Sequence, residues 1–463
     1  KFIVKTTMKN IKYSLLNLEK LAVALQRFSA TVYKGTLQEP DSNEIINVYG
    51  LYYILAFMYF GSTSRSDTRK EILNLLNFSV AEDDQSDSGS MKSGISRSSS
   101  RTGTRPKKAL FSDEEIRDEA FLKDVLQFLT NRIENDPTMY KIMRVLISNV
   151  DNTPDDDALE QLQKEFHIVS HEAQFSKYPK KELKKVNEFL AKASGGKDLA
   201  FIKNVDKETN MIMAIHSTFR PNLAFMFPAD NIEENAPFLA LGETKDGSQT
   251  ANYVFREQTA ERFLLHKWEK ATFRSLTLAT QESMFAYMFF LPEKNTEESM
   301  RQLEEALFNE SSNDNIFKQI YDEQQLTLLE NVKLPTFFET SSRDVTSLFS
   351  SLNLNLPFST DAELAVFGES ASFSQVLVKS KVGLHGEGSR PAPDKVPGAK
   401  KKPKKKKKSK KEPENIFVAN RPFVMAVVSQ SILAPVFVGK ITQPNTDDTS
   451  TTTSSRPVTT EQA

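Results

Sequence analysis

Ten lysines fall within residues 400–411, KKKPKKKKKSKK, interrupted only by Pro403 and Ser409. The chain carries a net −1, so without those ten lysines the remainder stands at −11. Such a cluster on a flexible tether concentrates positive potential and binds polyanions by releasing their counterions. It is also a run of cleavage sites for a trypsin-like enzyme that cuts after lysine, and it is also a solvated spacer. Other chemistry is scarce. The chain has no cysteine, so a disulfide scaffold, a thiol nucleophile and a Cys-based metal site are excluded. The five histidines, His167, His171, His216, His266 and His385, are scattered, and the i, i+4 pair His167/His171 flanks a strand-like Ile168-Val169-Ser170. Gly368-Glu369-Ser370-Ala371-Ser372 misses the hydrolase GxSxG pattern at its last residue. Asp155-Asp156-Asp157 opens a helix, where carboxylates favour the dipole. A P-loop, an HExxH and a dinucleotide fingerprint are absent. The sequence therefore reads as non-enzymatic, with no metal and no cofactor.

The elements on either side show how the lysines are carried. Residues 376–388, VLVKSKVGLHGEG, alternate as a strand apart from one slip. Residues 417–444 read as two strands around a turn at Ser429–Ser431. Their apolar runs, Phe423–Val428 and Ile432–Val438, suit burial on both faces. Between lies SRPAPDKVPGAKKKPKKKKKSKKEPE, residues 389–414, with almost no apolar content. A chain that leaves one strand, crosses about 30 exposed residues and returns to its most hydrophobic strands is displaying a loop.

That arrangement resembles the serpin family, whose reactive loop lies between the central sheet and a C-terminal strand pair. Gly386-Glu387-Gly388-Ser389 resembles the family's loop hinge. Asn420-Arg421-Pro422-Phe423 resembles its strand entry, and Val438-Gly439-Lys440-Ile441 its closing motif. The order of elements upstream agrees. Residues 11–35 are helical with Gly35 as stop. Residues 43–61 are a short strand and a buried helix, and Asp67–Asn77 is a helix capped by Asp67. Asp113–Asn131 and Pro154–Phe166 are helices, and Tyr140–Val150 is a strand. Lys181–Lys192, then strands at Met211–Phe227, Phe285–Leu291 and Val332–Phe337 and the helix Asp344–Leu352, continue the match. The resemblance implies one α+β domain over residues 1–444, with a large central mixed sheet, a second sheet holding the C-terminal strands and eight to nine helices. It also implies an exposed reactive-type loop at 387–415. The Ser-, Arg- and Lys-rich segment 81–110 reads as a disordered insertion, and the Thr/Ser-rich tail 445–463 as a disordered end.

Inhibitory serpins insert the cleaved loop as a new central strand, which requires small inward residues and backbone donors along it. Here the hinge reads Gly388, Ser389, Arg390, Pro391, Ala392, Pro393, followed by Asp394, Lys395 and Pro397. Three prolines lack the donor, and a one-residue slip instead buries Arg390, Asp394, Lys400 and Lys402. The resemblance also places a serine pair at Asn47 and Gly50, a histidine at Val378 and a tryptophan at Leu223, and each departs. The expectation is a non-inhibitory, secreted, monomeric member. Its polyanion-binding residues would be Lys400, Lys401, Lys402, Lys404, Lys405, Lys406, Lys407, Lys408, Lys410 and Lys411. The other reading is an inhibitor of a lysine-cleaving serine protease. Counting from either end of the loop places its scissile bond after Lys402 or at Lys411-Glu412. The start at Lys1 rather than Met fits a mature form after signal-peptide removal. No run is long enough to span a membrane. Asn77-Phe78-Ser79 and Asn309-Glu310-Ser311 are N-glycosylation acceptors in a secreted chain.

Overall fold

The structure is a computed structural model that describes residues 2–36, 42–77, 119–134, 137, 139–194, 201–225, 227–228, 230–244, 247, 249–281, 284–309, 314–384 and 415–445. The hinge Gly388–Pro393, the lysines of 400–411, Glu412, the insertion 81–110 and the tail beyond Asn445 lie outside the described residues. So does the start of the helix expected from Asp113.

Helix α1 spans Phe2–Thr36. From Leu21 onward, Leu25, Phe28 and Val32 recur at helical spacing and are fully buried. The helix ends at Thr36, one residue past the expected stop at Gly35. A Cβ there would lie 2.5 Å from Leu348 Cδ1, so the glycine lets another helix approach. Strand β1 (Glu44–Asn47) leads directly into α2 (Val48–Gly61), all of whose residues are buried. A helix apolar on every side belongs inside a large protein, and α2 is the spine of the core. Helix α3 is Asp67–Leu75, capped by Ser66 rather than Asp67: the Ser66 hydroxyl accepts from Arg69 N at 3.0 Å. Asp67 instead sits in the first turn and pairs with Lys70. Next come α4 (Glu119–Ile133), β2 (Tyr140–Asn149), α5 (Asp156–Glu165), β3 (Val169–Ala173), α6 (Pro179–Ala193) and β4 (Met211–Phe219). Strand β4 stops eight residues short of the expected Phe227, because Pro221 offers no donor and Arg220 N turns to Met139 O at 2.8 Å.

Strands β5 (Ile232–Phe238), β6 (Gln249–Lys267), β7 (Thr272–Ala279) and β8 (Phe285–Pro292) follow, then α7 (Glu297–Leu307), α8 (Ile316–Glu323), β9 (Gln325–Pro335), β10 (Phe337–Asp344) and α9 (Thr346–Ser351). Asp344 ends a strand rather than opening α9, and its carboxylate accepts from Thr346 N. Strand β11 is Phe373–Leu384. The C-terminal stretch holds three strands, not two: β12 (Ile416–Val418), β13 (Phe423–Ser429) and β14 (Ala434–Ile441). Every residue of β13 and β14 is buried, as their unbroken apolar runs require.

Two sheets result. One has the order β3-β2-β4-β11-β10, with two parallel and two antiparallel pairings. The other runs β1-β14-β13-β8-β7-β6-β9-β12, with β5 beside β6, and holds nine strands. The expected α+β architecture is therefore present, with nine α-helices among the described residues. The C-terminal strands lie in the sheet with more strands. No helix among the described residues is long and apolar enough to cross a membrane. One core face of the five-stranded sheet, with Met213, Ile215, Val376, Val378 and Val382, joins the main core. The opposite face, with Ile212, Ala214 and Leu377, packs in a second cluster with Val186 and Leu190 of α6.

Gly439 shows how tightly β14 lies on β1: a Cβ there would meet Glu44 O at 2.4 Å. Backbone cannot yield as a side-chain tip can. Gly439→Ala is expected to destabilise the protein by about 1–3 kcal/mol, read as a lower urea midpoint at unchanged slope.

Candidate functional site

The lysine-bearing segment is held at its two ends by different sheets. It leaves from β11, whose last residues pair with β10 as Gly383↔Phe338 and Leu384↔Phe337. Tyr287 OH donates to Gly383 O at 2.7 Å and pins that exit. The chain returns at Asn415, whose carbonyl accepts from Glu330 N at 2.9 Å, and β12 then runs parallel to β9. The strand entry Asn420-Arg421-Pro422-Phe423 is anchored as well. The Arg421 guanidinium donates to Pro292 O at 2.8 Å, and Asn420 O accepts from Leu239 N at 2.8 Å.

A strand turning back from β11 would run antiparallel to it, and between the parallel neighbours β11 and β4 it would be antiparallel to both. Those two strands are paired in parallel through nine register partners, from Phe373↔Met211 to Val382↔Phe219. The amide and carbonyl groups facing the slot are thus engaged across it. On the core side the start of α2 lies beneath. Asn47 Oδ1 accepts from Gly50 N at 2.8 Å, capping that helix. Asn47 Nδ2 donates to Ser217 Oγ at 2.9 Å, and Ser217 Oγ lies 3.2 Å from Ser380 Oγ on β11. Tyr140 OH completes the cluster at 3.3 Å. Val378, where the resemblance places a histidine, pairs with Ile215, and both are apolar. The polar contact that ties α2 to both strands therefore stands two residues further along. Leu223, in the position of the expected tryptophan, is buried and bridges to Thr280.

The row through Ile215 and Val378 ends in an arginine on each side, buried Arg144 and partly exposed Arg343, since Arg144 pairs in register with Ile215 and Arg343 with Val378. Arg144 is fully buried, ion-paired to Glu134, and its guanidinium lies 4.1 Å from the Tyr53 ring centroid. Burial pushes the Glu134 carboxyl up, but Arg144 and the Tyr49 hydroxyl outweigh it and hold the group below the usual carboxylate range. Arg343 pairs with Glu44 of β1. Burial raises the Glu44 carboxyl against the pull of Arg343 and Lys440. Each half of the row is thus tied to its own neighbours: Arg144 to α4 and α2, Arg343 to β1. Strand β10 also carries Glu339, in register with Val382 near the loop exit. Burial pushes its carboxyl up to about 7 despite hydrogen bonds from Asn445 N at 3.1 Å and Asn43 Nδ2 at 2.8 Å.

These groups escaped the sequence reading. A faint signal existed: Ser217 and Ser380 are small polar residues inside apolar runs. A second array also came unannounced. Ser275 Oγ lies 2.7 Å from His266 Nε2, and His266 Nδ1 lies 3.2 Å from Glu323 Oε2. This mimics a nucleophile, base and acid, but Ser275 and His266 are buried, and Phe273 stacks on the imidazole at 4.7 Å. Gln324 Nε2 also donates to Ser275 Oγ, so the array reads as a satisfied polar core that fastens α8 to β6 and β7. His171 stacks on Phe189 at 4.5 Å. Of the two glycosylation triplets, Asn309 is exposed. Asn77 is buried at positive φ, and its amide donates to Leu75 O at 3.0 Å, so a glycan there would require that turn to open.

The family described as Serpin (serine protease inhibitor) matches residues 23–444. Alpha-1-antiproteinase F of Cavia porcellus is 24 % identical over 282 residues, 60 % of this chain, and the match spans only 63 % of that relative's length. The hibernation-specific plasma protein HP-55 of Tamias sibiricus is 22 % identical, over 92 % of this chain and 89 % of its own. Among solved structures, human thyroxine-binding globulin superposes with a TM-score of 0.71 at 16 % identity, covering 93 % of this chain and all of its own. That likeness carries the fold alone.

Two outcomes follow from this geometry. Asn47→Ala removes the α2 cap and strands the serine pair, so a loss of about 2 kcal/mol in urea unfolding is expected. Ser380→Ala removes one contact and is expected to cost about 1 kcal/mol. Equal effects would mean that the cap is idle. Glu339 sets a pH dependence. Its folded pKa lies above the ordinary carboxylate value, so the native state holds its proton longer. The contribution is full below about pH 4.5 and is lost as pH rises through about 7, by at most about 3 kcal/mol. Glu339→Gln should remove that fall in chemical denaturation measured between pH 5 and 8.

Proposed function

This chain belongs to the serpin family, matched over residues 23–444, and we propose that within it the protein is a non-inhibitory secreted binder presenting a polybasic loop to polyanions. The observation that carries this reading is the mismatch between the slot and the segment that would fill it. Opening the slot separates the nine register partners of β11 and β4. The incoming strand must then satisfy donors and acceptors on both edges and place alternate side chains against an apolar core face. In one register that face receives Pro391, Pro393, Lys395 and Pro397; in the other it receives Arg390, Asp394, Lys400 and Lys402. A missing ladder bond leaves its partner unsatisfied at about 1–3 kcal/mol, and an unpaired buried charge costs several. Insertion beyond the first residues is therefore unfavourable.

The polyanion half of the reading rests on Lys400–Lys411 against an otherwise acidic chain. Secretion is supported by relatives such as the plasma protein HP-55. Asn309 is the glycan site that exposure favours, with the protein a monomer in this reading. One observation favours a second reading. A relative bears the name of an antiproteinase, and lysines stand at both candidate scissile positions, Lys402 and Lys411. On that reading the loop is bait for a lysine-cleaving serine protease.

Incubation with trypsin separates the two. The expected outcome is cleavage within Lys404–Lys411, with trypsin leaving fully active and no denaturant-resistant complex. After acylation, insertion must outrun deacylation, and here it meets Pro391 and Pro393 at once. Replacing Arg390 by Glu and Pro391, Pro393, Asp394, Lys395 and Pro397 by Ala should create some inhibition. A covalent complex of the parent at near one-to-one stoichiometry would overturn the non-inhibitory reading.

A further inference from the structure

Helix α6 carries Lys180, Lys181, Lys184, Lys185 and Lys192, and Lys177 stands just before it; all six are exposed. At 3.6 residues per turn, the helical lysines and Glu188 fall within an arc of about 140° on one face. The other side holds Val186, Asn187 and Leu190 against the five-stranded sheet. Two carboxylates belong to this helix surface. Glu182 is buried and binds Lys185 at 2.7 Å, and Glu188 lies 3.8 Å from Lys184. Among the described residues, Lys177, Lys180, Lys181 and Lys192 have no ion pair.

Like and opposite charges are mixed along this face. Lys180 and Lys184, like Lys181 and Lys185, are like charges at i, i+4 and repel. Two other helices open on acidic pairs instead, Asp156 and Asp157 in α5 and Glu297 and Glu298 in α7. The pairs Lys184–Glu188 and Lys185–Glu182 offset that repulsion, and the face keeps a net positive charge on an otherwise acidic protein, complementary to an anionic ligand.

We propose that the lysine face of α6, with Lys177, is a second and folded docking surface for a linear sulfated polysaccharide. The shape favours a thread over a sheet. The charge runs about 22 Å along one helix and is one helix wide. A planar anionic membrane would also bring the acidic remainder of the body against its own charge, whereas a thread need touch only the stripe. This inference rests on the polyanion reading above for the class of ligand, but not for the site.

The test uses the full chain, heparin as probe and three variants. The first is Lys177→Gln, Lys180→Gln, Lys181→Gln and Lys184→Gln together. The second replaces Lys404–Lys408 by Gln, and the third combines both. Each neutralised contact contributes about 0.7–0.9 to the slope of log affinity against log salt. The α6 variant should therefore lose roughly 3 from the slope and bind about tenfold to a hundredfold more weakly near physiological salt. Its thermal midpoint should stay close to the parent's, because the repulsion removed and the Lys184–Glu188 pair lost offset each other. The loop variant should keep residual binding, and the combined variant should lose it. If the α6 variant binds as the parent does and the loop variant binds nothing, the α6 site is wrong and the polyanion reading stands. If the parent fails to bind heparin even at low salt, both are overturned. Loss of binding to phosphatidylserine vesicles in the α6 variant, with heparin binding unchanged, would overturn the polysaccharide in favour of a membrane surface.

Discussion

A strand inside a sheet must satisfy its backbone on both edges, and β11 does so with β10 on one side and β4 on the other. That double engagement is the constraint on which the rest of the molecule depends. It keeps the five-stranded sheet closed and sets the exit of the lysine-bearing loop at Leu384. It also places the core-facing row in which Ser217 meets Ser380 and Asn47 holds both to α2. A sixth strand could enter only by replacing every one of those bonds twice over. The prolines at 391, 393 and 397 cannot do so.

Much of this was legible in the residues. The unbroken apolar runs at Phe423–Val428 and Ile432–Val438 announced strands buried on both faces, and the fully apolar α2 announced its place in the core. Boundaries were less legible where two residues could serve one role. Ser66 and Asp67 are both good caps, and only the backbone decides between them. Strand β4 was overrun because Phe225 and Phe227 continue the apolar signal after Pro221 has ended the ladder. The polar bolt was hidden for a different reason. Ser217 and Ser380 are 163 residues apart, and their meeting is a matter of register, which spacing along one strand does not encode. The burial of Arg144 was hidden likewise, since it is neutralised by a carboxylate from another element.

The charge pattern has the same two-layer character. The run at 400–411 is visible in the sequence at once. The lysines of α6 read there only as part of a helical segment. Once folded, one side of that helix is consumed by Val186 and Leu190 and the other is left almost wholly basic. On the proposed polyanion reading, a ligand would meet two basic segments, the run at 400–411 and the α6 face. Linking two such contacts multiplies affinity through effective concentration.

The central claim is that the loop cannot become a strand of the closed sheet. It is tested most directly by scanning calorimetry of the intact protein and of the protein nicked once within Lys404–Lys411. The account predicts thermal midpoints that agree within a few degrees, because cleavage adds no strand and no buried surface. A rise of more than about 10 °C on nicking would show that the segment beginning at Gly388 has entered between β11 and β4, and would contradict the account.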